Sequence, residues 1–297
     1  YVKCAAPSVY TSLYMFEQIH VATRDFRNNP ETYHHLDLLQ SNLLLNADLK
    51  TKEQVLTDLP EAIITQIDYD LDPRHYALYK RLAEEQLLLL PDGDKIDATQ
   101  ATALYHALGQ IVCQWHHFGQ DESLKSACYG LIEDVLDELG DGKLVVFASY
   151  RRTNQEIVRR FNCPGIWGDI TRKGKEQALD RFLDDPKCRI ITLHPVSAGE
   201  GIDGLQHVCQ DAMYVEPPQA VRHWTQSLSR IHRDGQRLPC NIRMATALGT
   251  VQQSRMESLS NKEALVNPIQ MTKAILRDAL FGGVSVKKPR SRRLAVL

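Results

Sequence analysis

Two arginines set three residues apart carry the most chemistry in this sequence. In QSLSRIHRDGQ, Gln226 to Gln236, glutamine is followed by arginine after four residues and again after seven. Residues three and four apart share a helix face, so a helix here puts Gln226, Arg230 and Arg233 on one side. Trp224, Leu228 and Ile231 then form the opposite, apolar side. Pro217 and Pro218 precede the segment and Gly235 follows it, residue types that begin and end helices. A guanidinium keeps its proton at any physiological pH and offers a planar fork of donors. Two of them on one face present their cations to something outside the helix. The plain alternative is a solvated charged face.

A second chemical feature is HPVSAGEGIDGLQ, His194 to Gln206, where three glycines follow a β-rich run. Glycine lets a backbone turn tightly and approach a ligand, and Ser197 adds a hydroxyl. Alone, such a loop reads equally well as an ordinary strand-to-helix turn. Basic character is local. Residues 151–175 hold seven Arg/Lys against Glu156 and Asp169, a balance of +5, and KKPRSRR at 287–293 holds five basic residues and no acid. That tail reads as a nucleic-acid contact or as a solvated terminus. The histidine pairs His34-His35 and His116-His117 lack a carboxylate or cysteine at ligand spacing, so no metal site is expected.

The elements that must hold these residues change character near residue 140. Before it, 12–26, 72–90, 98–115 and 127–139 carry apolar residues at helical spacing, and 59–71 alternates like a strand or extended passage. After it, β-rich runs at 143–149, 188–195, 211–218 and 240–248 alternate with helical patterns at 152–161 and 172–185. This is the signature of a parallel sheet covered on both faces. Ligands of such sheets sit beyond the carboxyl ends of the strands. That rule selects the loops after Ala148, Leu193 and Val215, with the Arg230–Arg233 segment beside them.

Composition bounds the rest. The chain has 297 residues, 43% hydrophobic and 24% charged, with a formal net charge of −2, so no global basic field is present. The cysteines number seven, without a CxxC pair, and read as reduced thiols of a cytoplasmic protein rather than a disulfide framework. No apolar run approaches the roughly 20 residues that span a bilayer, and no signal peptide is visible, so no membrane partner is expected. The first residue is Tyr, and the sequence reads as a piece of a longer protein.

Taken in order, LVVFASY, GDITRKGKEQALDRF, ITLHPVSAGEGIDGLQ and YVEPPQAVRHWTQSLSRIHRDGQ resemble the second RecA-like lobe of superfamily-two helicases. Within them they resemble the Swi/Snf-type ATP-driven translocases of duplex DNA. The family's last motif, glutamine, arginine four and seven residues on, then Gly-Gln, is met by Gln226, Arg230, Arg233, Gly235 and Gln236. The resemblance covers about residues 48 to 265 and is strongest from 144 to 236.

The resemblance implies an α/β fold: a RecA-like parallel sheet with flanking helices, preceded by a mostly helical region. It implies the end of a first lobe or connector at 1–60 and a helical inter-lobe region at 61–125. The RecA-like lobe would occupy 126–270, with a terminal helix and basic tail at 271–297. ATP would lie between this lobe and an N-terminal RecA-like lobe that brings most of the Mg2+ site. Arg233 would be the arginine finger, with Arg230 as phosphate-binding neighbour and Gln226 orienting the site. Gly199, Gly201, Asp203 and Gln236 would bind ATP or couple it to DNA. Ser149, Ser197, Arg151, Arg152, Arg172 and Lys173 would touch the backbone of duplex DNA, with RNA the lesser candidate. A bacterial or phage nucleoid is the expected setting.

There are departures. The family's loop reads Ala-Gly-x-Gly-Leu-Asn-Leu, whereas here Asp203 replaces asparagine and Gly204 is inserted. The acid that follows Gly-Thr in the family is replaced by Val251, Gln252 and Gln253. No Gly-x4-Gly-Lys-Ser/Thr and no Asp-Glu-x-His/Asp box occurs, so the chain alone is expected to be inactive. The competing reading is a helicase-like lobe retained as a nucleic-acid or protein binding module. A dinucleotide-dependent enzyme is disfavoured by the missing GxGxxG.

Overall fold

The computed structural model describes residues 6–24, 28–44, 55–85, 87–89, 95–97, 101–118, 124, 126–198, 201–256 and 259. They fall into two compact units, one within Tyr1–Val55 and one within Leu56–Ser260. The readings of Gly199 and of the 271–297 tail lie outside the described residues.

In the first unit, α1 (Leu13–His20) runs into β1 (Val21–Arg24), which pairs antiparallel with β2 (Pro30–Tyr33) before α2 (Leu36–Leu44). The single helix expected over 12–26 therefore stops at His20. Val21 and Thr23 branch at Cβ and favour the extended chain. Tyr10 Oη bonds His20 Nε2 at 2.6 Å in a small core with Ala6 and Leu39.

The second unit is built on a six-stranded parallel sheet ordered β3-β10-β9-β6-β8-β7. Its strands are β3 (Ala62–Tyr69), β6 (Leu144–Phe147), β7 (Gly165–Ile166), β8 (Ile190–Leu193), β9 (Asp211–Tyr214) and β10 (Cys240–Ala247). LVVF, IITL and DAMY are buried at every position, as strands covered on both faces must be. A short antiparallel pair, β4 (Leu87–Leu89) and β5 (Lys95–Asp97), stands apart from the sheet.

Alternation along β6 divides the core. Leu144, Val146 and Ala148 face a layer of α3 (Pro73–Glu85), α4 (Ala101–Ile111), α6 (Ala127–Leu139) and α7 (Arg151–Phe161), with the one-turn α5 (Trp115–Phe118) beside it. Val145 and Phe147 face α8 (Arg172–Asp184), α10 (Leu205–Val208) and α11 (Val221–Leu228). The one-turn α9 (Pro195–Ala198) follows β8. Helix ends obey local rules. Thr171 Oγ1 caps α8 by accepting from Gly174 N at 3.2 Å, and α6 ends at Gly140 with φ of 58°.

Two features differ from expectation. The strand or extended passage expected over 59–71 forms as a strand at 62–69; it lies in the stretch assigned to the helical inter-lobe region and is the edge strand of the main sheet. It pairs with β10 over eight residues, from Ala62 opposite Cys240 to Tyr69 opposite Ala247. Pairing across nearly 180 residues leaves no local trace. The helix expected to carry both arginines ends at Leu228 instead. Among the described residues no helix is long and apolar enough to cross a membrane.

Candidate functional site

After Leu228 the chain tightens into turns: Arg230 N and Ile231 N donate three residues back, to Ser227 O and Leu228 O, both at 3.1 Å. The arginines are thus delivered by a coiled turn and not by a helix face. Ile231 is buried and anchors that turn in the core. Gly235 closes it with φ of 90°, a conformation that L side chains rarely adopt.

This turn lies against the glycine loop. Arg230 Nη1 donates to Ile202 O at 3.1 Å, and Arg233 Nη1 reaches Asp203 Oδ1 at 3.0 Å. The Asp203 carboxylate also accepts from Gly204 N at 2.8 Å and from Gln206 Nε2 at 3.2 Å. The Gly204 amide, then Gln206, and then the Arg233 charge hold this carboxyl below the usual range. The inserted Gly204 has φ of 90° and starts α10, so the insertion supplies the left-handed turn that seats Asp203. Gly201 is also left-handed, at 71°.

The other expected nucleotide-site residues are placed differently. Gln226 is exposed on α11. Gln236 is buried and spends its amide on backbone. Nε2 donates to Cys209 O at 3.1 Å, and Oε1 accepts from Arg237 N and Leu238 N at 3.0 and 3.2 Å. Its geometry is that of a clasp for the turn.

The DNA-facing candidates lie on three segments. Ser149 is buried and donates to Pro217 O at 3.2 Å, and Ser197 is buried in α9. The Ser149 hydroxyl is thereby turned into the protein. Arg151 pairs with Asp169, Arg152 donates to the imidazole of His117, and Arg172 pairs with Glu176 at 3.0 Å. Lys173 is exposed. Arg151, Arg152, Arg172 and Lys173 all begin helices, α7 or α8.

Sequence reasoning missed the buried joint between these segments. Glu216, 1% exposed beyond the end of β9, accepts from Thr153 Oγ1 at 2.6 Å and from Tyr150 N at 2.8 Å. Gln114 Nε2 donates to the same Thr153 hydroxyl at 3.1 Å. Burial raises the Glu216 carboxyl to about 7, against the pull of these hydrogen bonds. His194 adds a further tie, bonding Ser149 O through Nε2 at 3.1 Å while Nδ1 accepts from Val196 N. Burial lowers its imidazole pKa. The segment after β9, which leads to the arginines, is thereby bolted to the start of α7. An acid before two prolines was the available signal, and it names no partner.

This order of parallel strands decides the fold; the 202–203 turn and the arginine turn meet beside it toward the amino ends of β3 and β9, where His232 bonds Pro60 O and Gln236 bonds Cys209 O. Its fold is that of a Swi2/Snf2-type C-terminal ATPase lobe. The Sulfolobus solfataricus SWI2/SNF2 ATPase core domain is similar with a TM-score of 0.54 and 19% identity, over 92% of this chain and 59% of that one. The same protein's core in complex with dsDNA is similar at 0.53 and 18%, over 82% and 55%. A DNA repair and recombination protein RAD54-like of Drosophila ananassae is 25% identical over 137 residues, which is 44% of this chain. The chain spans about a sixth of that relative, 17% of its length. No family model matches the chain. Among the described residues, no group of three or more His, Cys, Asp and Glu is placed to hold a metal in this lobe.

Proposed function

We propose that this chain is the second motor lobe of a DNA-stimulated ATPase that moves on duplex DNA. The observation that carries the reading is the meeting of Arg230 and Arg233 with the 202–203 turn, about thirty residues away in sequence. A binding module has no need to gather two guanidiniums beside a glycine turn.

Arg233 is the finger in this reading. Its side chain is 35% exposed and bound to a single, more exposed carboxylate, so it can exchange that partner for a phosphate. Arg230, half-buried and bonded to backbone, holds the turn and the nearer phosphate oxygens. ATP with Mg2+ would supply the transferred phosphoryl group. Its phosphate loop, general base and most of the metal site would come from the partner lobe, since none of those motifs is in this sequence. Duplex DNA is the assigned track because the relatives are named DNA repair and recombination proteins and a similar core was solved with dsDNA. Lys173, Arg172 and Arg151 are the exposed cations for its backbone.

The test is ATP turnover by a protein carrying both lobes, with and without duplex DNA, for wild type and Arg233→Ala. DNA stimulation that the variant loses by about 10³-fold or more is expected, with ATP binding kept. Unchanged turnover in the variant would sink the motor reading and leave a binding module.

A further inference from the structure

The His116-His117 pair is not absorbed by the motor reading, and the structure gives it a setting. A cavity of about 440 Å³ is lined by His116 and His117 of α5 and by Arg152, Gln155, Glu156 and Arg159 of α7. Every lining residue is polar.

Its charge is settled by geometry. Glu156, 6% exposed, accepts from Arg159 Nε and Nη2 at 2.8 and 2.7 Å and from Arg160 Nε at 2.6 Å. Arg160 also lies over the Tyr129 ring, 4.5 Å from its centroid. The only acid of the lining is thus doubly paired. Arg152 and Arg159 against Glu156 leave the lining a charge of +1, and Arg160 beside it adds one more, before either imidazole titrates. Arg152 donates to an imidazole nitrogen of His117, which makes that ring the neutral acceptor. Burial first, then Arg160, His117 and Arg159, press the His116 pKa down, while Glu156 opposes them.

We propose that this cavity is a binding site for a backbone phosphate of duplex DNA, with Arg152, His116 and His117 as its donors. The proposal rests on the reading of the chain as a DNA motor lobe, in which Arg152 is already an expected backbone contact, and adds His116 and His117 to it. The cavity opens along α7, with Arg152, Gln155 and Arg159 at the surface, so it fits one charge on a strand passing over it. An entering phosphodiester takes the Arg152 guanidinium from His117 and offers both imidazoles an anion. Binding therefore draws protons onto His116 and His117, because a nearby anion favours the charged ring. Phosphodiesters do not titrate near neutrality, so the pH dependence belongs to the protein.

The experiment measures duplex DNA affinity of the whole chain against salt and pH. Arg152→Ala is expected to weaken binding about tenfold. It should also lower the slope of log affinity against log salt by about one. Wild-type affinity is expected to rise several-fold from pH 7.5 to 5.5, and His116→Ala/His117→Ala to flatten that rise. Lys187→Ala, an exposed charge just before β8, should change neither. Arg152→Glu, judged beside an unchanged thermal melt, guards against an unfolded variant. Wild-type slope and pH profile in the variants of a chain that binds DNA would overturn this site alone. No duplex binding by wild type would overturn both this site and the DNA reading.

Discussion

Arg233 rests on Asp203 in this structure, and the residue that holds it is the one that departs from the family's asparagine. An exposed ion pair contributes about 0–1 kcal/mol, which is little enough to break when a phosphate arrives. Asp203→Asn keeps the shape and the acceptor for Gly204 N but removes the charge. Turnover without DNA by the two-lobed protein is expected to rise by up to about fivefold, the equivalent of 1 kcal/mol. Unaltered basal turnover would show that the pair has no restraining role. Glu216 gives a second residue-scale prediction. Its folded carboxyl sits at about 7 against an ordinary 4.5, so between those values the native chain binds more protons than the unfolded chain. Stability from this group is therefore full below about pH 4.5 and is lost as pH rises through about 7, by about 3 kcal/mol at most. Urea melts at pH 5 and 8 should show wild type losing more than Glu216→Gln; parallel losses would refute the assignment.

At the scale of elements, the decisive piece is the turn from Ser229 to Gly235. Helix α11 presents Trp224 and Ser227 to the core, where Ser227 Oγ bonds Tyr214 Oη at 2.6 Å and Trp224 tilts on Tyr214. After Leu228 the chain tightens into turns, and Ile231 stays in the same core as Trp224. Gly235→Ala places a Cβ 2.8 Å from His207 Cε1 at a φ of 90°. A destabilisation of about 1–2 kcal/mol is expected from the left-handed backbone. Chemical denaturation measures it, and a neutral result would mean that the turn reshapes freely. The arginines' chemical types and spacing were readable in the sequence. Their support was not, because three-and-four spacing describes a helix and a short tight turn equally well. Likewise Gly204 is visible as an insertion, but its left-handed role appears only in the backbone.

At the scale of the molecule, Arg233 stays partly exposed, while no phosphate-loop or Asp-Glu motif occurs in the sequence. The chain alone is expected to hydrolyse ATP no faster than a buffer blank, with or without duplex DNA; phosphate release by the purified chain measures this, and DNA-stimulated turnover would refute it. Much of the architecture is local in origin. LVVF, IITL and DAMY announce buried strands because unbroken apolar runs survive only where both faces are covered. The intervening amphipathic patterns announce α7 and α8, and the glycine and arginine motifs announce a phosphate chemistry. Contacts between distant segments decided the rest. Strand β3 joins β10, Glu216 bolts the end of β9 to the start of α7, and Arg152 meets His117 across 35 residues. A hydrogen bond or a parallel pairing has a short range in space and none in sequence. The elements were therefore legible from neighbours along the chain, while their partners emerged only when the sheet brought them together.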